Sequence, residues 1–123
     1  MTMPQPIPTI DVVEVERRLR EDPSRPILLD VREVNEFVEM RAPGAVLVPT
    51  SLFMTRAADL PTDRPLMVVC HLGSRSAAVA GFLIRAGRTD VVNVAGGMDA
   101  WEGAGLPLRR GAVEPGEGDL PTS

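Results

Sequence analysis

Apolar residues along this chain fall in short continuous runs, separated by amphipathic stretches. PILLDV (26–31), GAVLVP (44–49), PLMVVC (65–70) and DVVNVAGG (90–97) read as strands, the first and third apolar enough to be buried on both faces. Between them lie helical patterns. DVVEVERRLRED (11–22) opens on Asp11 with Glu14 three residues later, a capping-box spacing, and sets Val12, Val15 and Leu19 on one face. EVNEFVEM (33–40) is a short helix, TSLFMTRAADL (50–60) reads as helical, and MDAWEGAG (98–105) is a final short helix. SAAVAGFLIRAG (76–87) is nearly all apolar and closes on Gly87, which predicts a buried helix.

Strands alternating with helices predict an α/β domain with a mainly parallel sheet covered on both faces. In such sheets ligands bind outside the carboxyl ends of the strands. Asp30 and Cys70 stand at the carboxyl ends of two of these strands, so the pattern sends both to one rim. Residues 1–9, with Pro4, Pro6 and Pro8, form an expected extended arm, and residues 10–110 the domain. The polar, acidic, Gly- and Pro-containing stretch 111–123 is expected to be disordered.

Composition narrows the function. With 123 residues, 44% hydrophobic and 24% charged, the chain has the balance of a soluble globule. A net charge of −4 argues against a nucleic-acid partner. No run approaches the ~18 apolar residues of a membrane span, and the amino terminus has no secretory pattern. One cysteine allows no internal disulfide, which points to a reducing, cytoplasmic setting. One cysteine and one histidine are too few for a structural zinc site, so no metal is expected. All thirteen basic residues are arginine, which excludes lysine chemistry. Oligomeric state is not legible.

The candidate chemistry lies in CHLGSRS (70–76), where the single thiol meets a loop between a buried strand and a helix. Backbone N–H groups at a helix start lack partners, and a tight loop can wrap them round one atom. Gly73 supplies the freedom for that wrap. Such a bowl favours the thiolate, bringing a cysteine pKa from ~8.5 to ~3.5–7.5. The alternative is an inert core cysteine. His71 either orients the thiolate or sits on the rim. Arg75 either holds a negative substrate group or fixes the loop by pairing with a carboxylate such as Glu36. Ser74 or Ser76 is a candidate helix cap.

Four segments in order carry a resemblance: LLDVREVNEF (28–37), PGAVLVP (43–49), CHLGSRS (70–76) and VNVAGGMDAWEGAGLPL (92–108). Together they resemble a single-domain rhodanese, the sulfurtransferase family. The resemblance runs from about Ile10 to Leu108. It implies a three-layer α/β fold with a five-stranded, mostly parallel sheet and helices on both faces. It implies sulfane-sulfur transfer without a cofactor: Cys70 takes sulfur from thiosulfate, a mercaptan or a persulfide, and passes it to cyanide, a thiol or an acceptor protein. Cys70 and Arg75 are the implied catalytic residues. His71, Leu72, Gly73, Ser74 and Ser76 form the implied cradle, with Asp30 and Arg32 supporting the loop and lining the entrance.

The chain departs from the family pattern in three places: Arg41 replaces a usual histidine, Leu47 a usual asparagine, and His71–Leu72 the basic pair that accompanies thiosulfate preference. Two rivals remain. Phosphatases and arsenate reductases use a similar cradle but place five residues between cysteine and arginine, against four here. A non-catalytic sulfur carrier or partner-binding module is the other.

Overall fold

The computed structural model describes residues 6–22 and 24–121. Its strands are β1 (Thr9–Ile10), β2 (Ile27–Asp30), β3 (Val46–Leu47), β4 (Leu66–Val69) and β5 (Val91–Val94). They pair in the order β1-β5-β4-β2-β3, and every pairing is parallel. Apolar patterning marks four of these strands. The two-residue β1 spans the expected boundary between arm and domain, Thr9 on one side and Ile10 on the other, and forms because both residues find β5 as a partner. Residues 1–5 of that arm lie outside the described residues.

Helices cover both faces. They are α1 (Val12–Glu21), α2 (Val34–Glu39), α3 (Phe53–Arg56), α4 (Ser74–Arg85) and α5 (Gly97–Gly103). The 50–60 stretch is not one helix: α3 is flanked by two 3₁₀ turns, Thr50–Leu52 and Ala57–Asp59. At the start of α1 half of the expected capping box forms. Asp11 accepts the Glu14 amide at 2.9 Å, but the Glu14 carboxylate turns to Arg17 and Arg18.

Side-chain parity along the central strands divides the core. Leu66, Val68 and Cys70 join Val79, Ala80 and Leu83 of α4 on one face. Met67 and Val69 join Val15, Phe37, Met98 and Trp101 on the other. The period of two therefore aims Cys70 at α4. That helix buries one face, with Val79, Ala80 and Leu83, and leaves Ala78 and Arg85 exposed, so it is less enclosed than its composition predicts.

The stretch expected to be disordered is held against the domain through residue 121. Arg41 is fully buried and is the anchor. Its Nε and Nη2 donate to the Glu117 carboxylate at 2.5 and 3.0 Å, and its Nη1 and Nη2 donate to the Gly111 and Ala112 carbonyls at 2.9 and 3.2 Å. The guanidinium also lies 5.4 Å from the Phe37 ring centroid. Leu47 on edge strand β3 donates its amide to the Gly118 carbonyl at 2.8 Å, and Leu120 packs on the α4-side core. The placing of this segment rests on a buried cation seventy-six residues before Glu117, a contact that composition does not register.

The Arg41 hydrogen bonds, with the Glu114 amide, hold the Glu117 carboxyl at about 2, below its ordinary 4.5. A carboxyl lowered in this way stabilises the fold above its unfolded value, and that contribution is lost as pH falls through the folded value. Arg41→Ala should lower the urea midpoint at pH 7, open residues 111–121 to limited proteolysis, and remove part of the stability loss between pH 4.5 and 2. An unchanged midpoint and cleavage pattern would show that Glu117 anchors nothing.

Candidate active site

Cys70 follows β4 directly, so a strand buried along its length fixes where the sulfur sits. The chain then turns through His71–Gly73. Gly73 has φ +117°, a left-handed conformation that a side chain would strain, and α4 starts at the next residue. This bends the loop amides back over the sulfur. The Gly73 N–H donates to Cys70 Sγ at 3.0 Å and the Ser76 hydroxyl at 3.2 Å. Burial pushes the thiol up. The Ser76 hydroxyl and the amides of Ser76, Gly73 and Leu72 outweigh it, and the thiol pKa lies below its ordinary value. Cys70 is only 1% exposed, yet its polar neighbours converge on the sulfur rather than facing away.

A second helix start braces the loop from behind. The Met98 and Asp99 amides of α5 donate to the Cys70 and His71 carbonyls at 2.8 and 3.0 Å. Gly97, at φ +59°, lets the backbones come this close, because a Cβ there would collide with both carbonyl oxygens. On β5, Asn93 Nδ2 donates to the Gly73 carbonyl at 3.3 Å, and the Ser76 hydroxyl reaches the same oxygen at 3.2 Å. One hydroxyl proton serves one acceptor at a time, so Asn93 keeps the carbonyl satisfied when Ser76 turns to the sulfur.

The structure brings Cys70, Leu72, Gly73 and Ser76 together at one atom through their backbone and hydroxyl groups. The Leu72 side chain is 64% exposed, and Ser74 is an exposed first residue of α4. His71 is exposed and lines a cavity beside the loop. Arg75 takes the second of its two readings. Its Nη1 and Nη2 donate to the two Glu36 carboxylate oxygens at 2.7 and 2.8 Å, tying α4 to α2.

Asp30 lines no entrance, and Arg32 keeps only an edge of one. Asp30 is fully buried and Arg32 is 2% exposed, because each satisfies the other. Arg32 Nη2 donates to Asp30 Oδ2 and to the Met40 carbonyl, both at 2.7 Å, and Nη1 to the Glu36 carbonyl at 3.2 Å. The pair fixes the end of α2 and so reaches the loop only through Glu36 and Arg75. Asp30 touches no opening, and Arg32 contributes an edge to the cavity wall.

Sequence reasoning missed Gly97 and Asn93 as site residues. Their signals were present: a paired glycine after a strand, and one polar residue inside the apolar run VVNV.

The model of the rhodanese-like domain matches residues 11–104. The chain belongs to the rhodanese-like domain family. It is 32% identical over 99 residues to a sulfurtransferase of Allochromatium vinosum, covering 80% of this chain and 92% of that protein. It is 35% identical over 82 residues to the thiosulfate sulfurtransferase GlpE of Actinobacillus succinogenes, covering 67% and 74%. The crystal structure of a rhodanese-related protein from Thermoplasma volcanium superposes with a TM-score of 0.72 at 29% identity, over 83% of this chain and 97% of that one. The α/β architecture of this rhodanese-like domain is thus the family's own.

Two outcomes test the cradle. Ser76→Ala removes the largest contribution lowering the thiol, so an ultraviolet thiolate titration should show the Cys70 pKa rising and alkylation at neutral pH slowing. Gly97→Ala forces the left-handed backbone and the carbonyl collision on a side chain, and should cost at least about 1 kcal/mol in a denaturant titration.

Proposed function

We propose that this rhodanese-like domain is a sulfurtransferase that carries a sulfane sulfur on Cys70. The observation that carries the reading is a lone thiol whose pKa is lowered by hydrogen bonds converging on its sulfur. The thiolate attacks the outer sulfur of a donor such as thiosulfate or a persulfide. With a persulfide, the donor's S–S bond breaks as the Cys70 S–S bond forms. The donor thiolate leaves and takes a proton from solvent. The amides that held the thiolate are placed to hold the terminal sulfur of Cys–S–S⁻. In the second half-reaction an acceptor thiolate or cyanide attacks that terminal sulfur. Cys70 departs as the thiolate, and the acceptor leaves as a persulfide or thiocyanate.

No step needs a metal or cofactor, because Cys70 is both nucleophile and leaving group. Arg75 acts here as a positioning residue, since its guanidinium contacts Glu36 and not the sulfur. Because Cys70 is 1% exposed, the donor presents its sulfur on a slim terminal group. A protein acceptor would have to offer a thiol on a projecting segment. A cytoplasmic setting accords with the single free thiol. No helix of the described residues is long and apolar enough to cross a membrane.

Intact-mass measurement after donor treatment should show a gain of one sulfur atom, removed by cyanide or dithiothreitol. Cys70→Ser should abolish both the gain and steady turnover, while circular dichroism stays native. A sulfur retained by the serine variant would sink the proposal. A single stoichiometric load without turnover would assign a carrier instead of an enzyme.

A further inference from the structure

The charges around the loop are paired in a way that bears on which donor it accepts. Arg75 is the arginine of the active-site loop itself, and both its terminal nitrogens are occupied by Glu36. The cavity beside the loop is about 370 Å³, and its wall includes Arg32 and Arg110 against Glu36, Glu39 and Glu102. Arg32 is consumed by Asp30, and Arg110 Nη2 by Glu102 at 2.7 Å. Glu39 has no ion-pair partner among the described residues. Besides His71, the wall carries two guanidiniums, each bound to a carboxylate, and three carboxylates, of which Glu36 pairs with Arg75, Glu102 with Arg110 and Glu39 with no cation among the described residues. Two parallel charge-assisted hydrogen bonds fill the fork with which Arg75 would otherwise grip a sulfonate-type oxyanion.

We propose that Glu36 is a specificity-determining residue: by occupying Arg75 it leaves the mouth without a free guanidinium, and so selects an uncharged-carrier hydropersulfide over the thiosulfate dianion as sulfur donor. The inference rests on the sulfurtransferase reading above. Both donors balance chemically: R–S–S⁻ releases R–S⁻ and thiosulfate releases sulfite, each leaving Cys70–S–S⁻. They differ in what must approach the mouth. Thiosulfate brings a dianion toward a wall whose guanidiniums are all paired and whose Glu39 is not. A hydropersulfide such as that of 2-mercaptoethanol brings a small neutral carrier. The Glu36 pair is also structural, since its Oε1 accepts the Glu33 amide at 3.0 Å at the start of α2. Glutamine keeps an acceptor oxygen and the side-chain volume while removing the charge.

The test uses the full chain with two donors, thiosulfate and 2-hydroxyethyl hydropersulfide, read as kcat/KM and as sulfur loading by intact mass. Wild-type protein should favour the hydropersulfide by at least about tenfold, a difference of roughly 1.4 kcal/mol. Its kcat/KM for thiosulfate should not fall with added salt, because among the described residues no unpaired guanidinium lines the mouth to attract the dianion. Glu36→Gln frees Arg75, and should raise the ratio of thiosulfate to hydropersulfide kcat/KM about fivefold. In that variant thiosulfate use should become salt-sensitive. Equal use of both donors by the wild type, or a steep fall of its thiosulfate kcat/KM with salt, would overturn the inference; so would an unchanged ratio in a folded Glu36→Gln. If the variant does not fold, the wild-type donor ratio and salt response decide alone. Failure of both donors to load Cys70 would instead refute the sulfurtransferase reading.

Discussion

A sulfur atom placed at the end of a buried strand has to be solvated by the protein itself. Water reaches little of Cys70, and desolvation alone would keep it a neutral thiol. Hydrogen bonds from the Ser76 hydroxyl and the neighbouring amides reverse that tendency. Those amides point inward because Gly73 turns the chain with a positive φ and α4 begins at once. Nearly every other feature near the rim serves to hold that turn. Helix α5 pins the loop's first two carbonyls, Asn93 holds the Gly73 carbonyl, and Gly97 clears the space for both backbones to meet.

The ionic groups beside the loop form a relay of supports. Asp30 fixes Arg32, Arg32 fixes the carbonyls at the end of α2, and α2 carries the Glu36 that holds Arg75 and the start of α4. Removing one member of such a pair strands its partner in a low-dielectric setting, which is costlier than the pair's own net worth. The same logic explains the carboxyl-terminal stretch. A fully buried Arg41 requires a counter-ion, and Glu117 brings residues 111–121 with it onto the open edge of β3. Arg41 thus organises the packing of the carboxyl-terminal stretch.

Two glycines show how far sequence reading can go. Gly73 was legible because it lies between the thiol and a helix start, where a turn must be made. Gly97 was visible only as part of a repeated word. What makes it necessary is its contact with residues 70 and 71, far back along the chain, and no local pattern encodes that approach. Arg75 lies between these cases: a forked cation at a helix start admitted two roles, and the placement of α2 chose between them.

By itself the sequence determined the alternation of strands and helices, the placing of Cys70 at the carboxyl end of a strand, and the candidacy of the 70–76 loop. Each follows from local rules of period, turn chemistry and helix ends. Only the tertiary structure decided that Asp30 and Arg32 are sealed together, that Thr9–Ile10 is a strand, and that the last stretch is bound. Pairings of this kind depend on which distant groups meet after the chain has closed on its core. Charge satisfaction and edge pairing are properties of that meeting, not of neighbours along the chain.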